Sequence, residues 1–268
     1  MNMTEQSAPI WPLRLFNKSV LKQRKYKELT EALGETTTLQ CLDIGADNGV
    51  ISYLLRQRGG QWKSADLDLT TVEAIQDLIH EQVFQIDDRP TPFADNEFDR
   101  VAVIDFLEHI PNDEAFIREL HRIVKPDGQV VLNVPHIKPT LLRKIRLAIG
   151  QTDEKHGHLR PGYTLEDINR ILGDHFKVVS EKTYSKFFSE CIDTLITFAF
   201  DLLKRGKRTS AKGLVVTGKD LKQYQKVFTM YSLLYPIIWT ISKLDAALFF
   251  TSGYMLLVVA QNKKDANA

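Results

Sequence analysis

The stretch from Cys41 to Ser52, CLDIGADNGVIS, sets two glycines four residues apart behind a short apolar run that contains an acid. An apolar run that opens into glycines and then into helical spacing is a strand, a turn and a helix. Gly45 and Gly49 would let the backbone of that turn pass close to a ligand lying outside the carboxyl ends of an open sheet. An acid about 20 residues further on, at the end of the second strand, takes ribose hydroxyls in such folds. Asp66 in KSADLD stands at that distance from Gly45, with Asp68 as a neighbouring candidate. The competing reading of the same residues is a tight strand-to-helix turn, with Asp66 capping the next helix.

Proton transfer near neutral pH points to histidine. His109, in DFLEHI, and His136, in NVPH, each follow an expected strand and hold the better positions. His156 and His158 belong to the loop EKHGHLRPGYT, which could close over a substrate together with Arg160 and Tyr163. Each of the four also reads as an ordinary structural or solvent-facing histidine.

These residues need a frame. Strand-like runs fall at 39–44, 63–67, 83–86, 100–104 and 129–134, and again at 176–184 and 254–261. Helical spacing fills 72–80 and 114–124, and a lysine-rich helix is expected at 20–33. The alternation predicts an α/β fold, a Rossmann-like seven-stranded and mostly parallel sheet with helices on both faces. KPDGQ, residues 125–129, reads as a turn between a helix and a strand, and Thr164 with Asp167 as a helix start.

The chain has 268 residues, 43% hydrophobic, with a net charge of +1. That suffices for a full core and gives no overall field to recruit nucleic acid. Two cysteines, Cys41 and Cys191, supply neither a disulfide framework nor metal-ligand spacing, which points to a reducing cytoplasm. The first residues show no signal-peptide pattern.

Residues 189–250 form a helical insertion before the last strand. Ile192, Leu195, Ile196, Ala199, Leu202 and Leu203 mark an apolar face, and Lys204 to Lys226 holds eight Lys or Arg against one Asp. Sixteen residues without charge follow, Val227 to Ser242, interrupted by Pro236 and short of the roughly 20 that span a bilayer. Two readings stand: an interfacial anchor on an anionic membrane, or a lid that lines a substrate pocket.

Taken in order, LDIGADNG, SADLD, FQIDDRPTPFADNEFDRVAVIDFLEHI and FIRELHRIVKPDGQVVLNVP resemble the successive motifs of class I S-adenosylmethionine-dependent methyltransferases, in particular the type 11 group. The resemblance implies S-adenosyl-L-methionine as cofactor, bound by residues 38–188 and 251–264, with 1–37 as an N-terminal helical segment. It implies Asp43 and Gly45 beside the methionine moiety, Gly49 at the helix start, Asp66 on the ribose, Asp87 on the adenine amino group and the Asp88 backbone on a ring nitrogen. Asp105 would lie near the methionine end and the substrate. The chain departs from the family at Asp47, where a glycine is usual; aspartate tolerates left-handed backbone, and its carboxylate could meet the cofactor's ammonium group. Asp105, Glu108 and His109 also resemble the metal cluster of ubiquinone-biosynthesis O-methyltransferases, but the Glu-His pair recurs without metal, and none is assigned. The function implied is methyl transfer to a small-molecule or lipid-linked acceptor, catalysed with His109, His136 or His158, possible partners being an anionic membrane surface but no nucleic acid. The alternative is a non-catalytic binding module on the same fold.

Overall fold

The computed structural model describes residues 11–80, 82–87, 90–153, 157–203 and 221–264. The expectations for Asp88, for His156 and for the basic residues 204–220 fall outside them. Seven strands form one sheet: β1 (Gln40–Ile44), β2 (Gln61–Asp66), β3 (Val83–Gln85), β4 (Phe98–Ile104), β5 (Val124–Pro135), β6 (Phe176–Tyr184) and β7 (Met255–Asn262). Their order is β3-β2-β1-β4-β5-β7-β6, parallel from β3 to β5, with β7 antiparallel to both of its neighbours. The chain builds outward from β1 to one side and from β4 to the other, so β1 and β4 flank the switch point where a crevice opens.

Alternation along the central strands sorts the core. Leu42, Ile44, Val101, Val103, Val130 and Leu132 face one layer, packed with α5 (Asp113–Ile123) and α7 (Leu165–Leu172). Cys41, Ala102, Ile104 and Val131 face the other, under Leu29 and Leu33 of α2 (Val20–Leu33) and Leu55 of α3 (Val50–Arg56). The Ser19 side chain caps α2, and Thr164 and Asp167 close a complete capping box on α7. The short helices α1 (Trp11–Phe16) and α6 (Leu141–Ala148) carry too few turns to show a period in the sequence. Between α3 and α5 lies α4 (Leu69–Ile79); between β6 and β7 lie α8 (Phe187–Leu203), α9 (Leu221–Lys243) and a 3-10 segment, Leu244–Leu248.

The expected turn at 125–129 is absorbed into β5. Helix α5 ends at Ile123 and the strand begins at once. Phe98 pairs with Val124 and Arg100 with Gln129, so the extra residues bulge, with Asp127 at φ 59°.

At the switch point the backbones of β1 and β4 nearly touch. Gly45 has φ 86°, and a Cβ there would lie 2.2 Å from the Ile104 carbonyl oxygen. Gly150 has a similar φ of 79° but open space around it. Gly45→Ala should therefore destabilise the protein by about 3 kcal/mol and Gly150→Ala by about 1 kcal/mol, read from midpoints of urea unfolding. Equal losses would show that only the dihedral angle matters.

Candidate active site

The turn after β1 is shaped by left-handed residues. Asp47 adopts φ 62°, and Gly49 (φ 77°) caps α3 at a point where a Cβ would sit 2.8 Å from the Ile75 Cα. The aspartate in place of a glycine thus itself takes up left-handed backbone. Asp43, expected beside the methionine moiety, is fully buried beneath the turn. Ser52 Oγ donates to one of its oxygens at 2.5 Å and Ser64 Oγ to the other at 2.7 Å, with Arg56 at 3.4 Å. Burial pushes the carboxyl above its usual range against the opposing pull of Arg56 and the two hydroxyls. It ties β1 to β2 and α3, and its contacts are with the protein interior.

Asp66 is buried at the carboxyl end of β2, where one oxygen accepts from the Leu67 amide at 2.7 Å. It is not the cap of the following helix: that is Asp68, which accepts from Thr70 N at 3.0 Å. Asp87 lies exposed two residues beyond β3, and Ile86 N donates to Asp66 O at 2.9 Å, so the two acids occupy neighbouring strand ends.

A cavity of about 290 Å³ opens beside the turn, and Gly45, Asp47, Asp105, His109, His136 and His158 all line it. Asp105 leaves β4 at φ 46°, its amide donating to Asn133 O. Asn133 Nδ2 donates to Asp105 Oδ1 at 2.7 Å, and the buried Tyr184 hydroxyl donates to Asn133 Oδ1. The second oxygen of Asp105 pairs with Lys25. Burial works against the charge of Lys25, but Asp105, with Asp47 and Glu108, outweighs it and holds the ammonium above its ordinary pKa. One turn earlier Lys22 Nζ lies 3.3 Å from Asp47. Sequence reasoning had found the acids but neither lysine; their spacing of three on α2, a single helix face, was the available signal.

The ring contacts fix tautomers. A carbonyl oxygen only accepts, so Nδ1–H of His109 donates to Gly157 O and Nδ1–H of His136 to Gly253 O, each at 3.0 Å. In the neutral rings the lone pair is then on Nε2. His109 and His158 meet edge to face at 4.9 Å between centroids. Their ligand-type atoms and a carboxylate oxygen of buried Glu108 lie within 4.8 Å of one another. That grouping has His158 where the expected trio had Asp105, whose carboxylate pairs with Lys25 and Asn133.

Arg160 and Tyr163, expected to close over a substrate, are anchors. Arg160 pairs with Asp113 and donates to the Ile110 and Pro111 carbonyls, and the Tyr163 hydroxyl is shared between Leu107 O and Asp113. Burial, then the Asp113 carboxylate, raises the Tyr163 pKa and keeps the phenol protonated. Sequence reasoning missed the far wall of the cavity. There Lys138 pairs with Glu190 at 3.2 Å, Arg143 with Asp153 at 2.7 Å and Arg146 with Asp193 at 3.5 Å.

The donor set fits S-adenosylmethionine. Carboxylates at Asp47 and Asp105 interleaved with ammonium groups at Lys22 and Lys25 match both charges of an amino acid, and Asp66 suits a pair of vicinal hydroxyls.

Comparison with known proteins agrees. Residues 42–132 match the methyltransferase domain family. Over 104 residues the chain is 31% identical to a ubiquinone biosynthesis O-methyltransferase of Pseudomonas aeruginosa, covering 37% of this chain and 45% of that one. Methyltransferase GfsG of Streptomyces halstedii is 25% identical over 127 residues, 44% of this chain and 46% of its own. The chain thus spans about half the length of the curated relatives it matches. The cyclase SpnF shares the fold at 15% identity and a TM-score of 0.58, over 91% of this chain and 82% of that one. Over residues 42–132 the chain is thus similar to the class I S-adenosylmethionine-dependent methyltransferases of the type 11 group.

Proposed function

We propose that this chain transfers a methyl group from S-adenosylmethionine to an oxygen or nitrogen of a small-molecule acceptor by direct displacement. The observation that carries the reading is the convergence of the glycine turn, Asp105 and three histidines on one cavity. When bound, the cofactor supplies a methyl group already activated on a sulfonium. The chain's own task is then to hold, orient and deprotonate. Lys22, Asp47, Lys25 and Asp105 hold the amino-acid end, and Asp66 and Asp87 the nucleoside end.

His109 is the assigned base. Its lone pair is on Nε2, its ring orientation is fixed through Gly157, and the adjacent Glu108 carboxylate favours the imidazolium that forms. His136, braced on Gly253, positions the acceptor from the β5 side. The ion pairs on the far wall favour an acceptor with a polar reacting end. The apolar insertion supports a lipid-linked tail behind it. The free thiols of Cys41 and Cys191 support action in a reducing compartment such as the cytoplasm.

A non-catalytic binding module is the second reading, favoured by the likeness to a cyclase, which places the fold in a protein not named for methyl transfer. The two separate in one experiment. Cofactor labelled on its methyl group is incubated with the protein and a whole-cell extract, which is then split into organic, aqueous and macromolecular fractions. Label in the organic fraction supports the lipid-linked acceptor, label in the aqueous fraction a soluble one, and cofactor binding without S-adenosylhomocysteine production supports the module.

Asp66→Asn should weaken S-adenosylmethionine binding about tenfold to a hundredfold in calorimetric titration, the loss of charge-assisted hydrogen bonds. His109→Asn should leave that affinity unchanged and lower kcat about 10²- to 10⁴-fold for an acceptor that must lose a proton. A smaller loss there than in His136→Asn would reverse the two assignments.

A further inference from the structure

Helix α9 turns its apolar side outward. Met230, Leu233, Leu234, Ile237, Ile241 and Leu244 recur at helical spacing along α9 and into the 3-10 segment, and all are exposed, Leu233 by 76%. The opposite side docks the helix on the body. Phe228 meets Trp11 at 4.6 Å between ring centroids, and the Tyr235 hydroxyl accepts from Gln23 at 3.2 Å beneath the Lys18 ammonium. The orientation is therefore set by specific contacts with α1 and α2. Beyond the stripe the chain reaches Phe249 and Phe250, exposed by 83% and 75%.

We infer that this face rests on an anionic lipid bilayer. From Met230 to Leu244 the stripe runs about 21 Å at 1.5 Å per residue, along a surface and not across it. Among the described residues no helix is long and apolar enough to cross a membrane. Val227 to Ser242 contains no charged residue, whereas Lys204 to Lys226 just before it carries eight Lys or Arg against one Asp. At the other margin Lys243 stacks over Trp239 at 4.7 Å. Cations that border an apolar run in the sequence complement the headgroups of an anionic leaflet.

The face also leads to the cavity. Three residues after Phe250, Gly253 O holds His136, and Ser252 O accepts from Lys138, both in the cavity wall. An acceptor drawn from the bilayer would meet the site at its rim. The inference deepens the lipid-linked reading of the acceptor, but lipid binding itself does not depend on methyl transfer.

The test is flotation of the full chain with vesicles of phosphatidylcholine alone and of phosphatidylcholine with phosphatidylserine, alongside light scattering without lipid and calorimetric cofactor titration. The expected result is flotation with the phosphatidylserine vesicles, reduced by added salt, and about tenfold less binding in Leu233→Asp/Ile237→Asp and in Phe249→Ala/Phe250→Ala. Cofactor affinity should not change in either variant, since all four positions are exposed and away from the cavity lining. Absence of flotation by the wild type, or equal flotation by the variants, overturns the inference. So does a dimer in solution that Leu233→Asp/Ile237→Asp converts to monomer, which would make the face a self-association surface. Loss of vesicle binding with intact methyl transfer in the variants leaves the enzymatic reading standing, and vesicle binding by a protein that transfers no methyl group leaves this one.

Discussion

The close approach of β1 and β4 at Gly45 is the constraint on which the site depends. With the Ile104 carbonyl 2.2 Å from where a side chain would begin, only glycine lets the two strands end side by side. The next residue after Ile104 must then turn away from β1. Asp105 does so in left-handed backbone, with its amide held by Asn133 O. Its carboxylate is carried over the crevice as a result. A strand end that could spread would leave that carboxylate without a defined position.

The same crevice concentrates charge of both signs. Lys22 and Lys25 of α2 reach across to Asp47 and Asp105, so neither acid stands alone in a partly buried site. Lys25 keeps its proton despite burial because its partner is close, and the pair is positioned by the chain Tyr184, Asn133, Asp105. Such pairs cost little to open toward a zwitterionic ligand that replaces each partner with its own opposite charge. A ligand bound there would exchange one set of ion pairs for another, with the desolvation shared.

What could be read from the sequence follows from what is local. The strands, the glycine turn and the acid at Asp66 are encoded by periodicity and short spacing, and they stand where that pattern put them. The positive φ at Asp47 was legible too, because backbone tolerance is a property of the residue itself. Roles set by tertiary contact were not. The sequence offers no sign that Ser52 and Ser64, on two other elements, donate to the two oxygens of Asp43. Arg160 and Tyr163 were grouped with a loop that could close over a substrate; Asp113, about 50 residues earlier in the chain, pairs with both and makes them anchors. The bulge at 125–129 hid for a similar reason, since a proline, an aspartate and a glycine signal a turn in isolation while sheet pairing on both sides keeps the strand going.

The insertion hangs from the sheet in an unusual way. It leaves after Tyr184 and returns at Met255, which are paired rungs of the β6–β7 ladder, and Tyr254 N donates to Ser185 O at 2.9 Å. Its two ends are therefore adjacent, as in a hairpin whose connection has been lengthened by two helices. Closing such a loop costs entropy that grows only with the logarithm of its length. A change in the length of this segment would therefore cost the sheet beneath it little, since both ends of the insertion are already held together by the β6–β7 ladder.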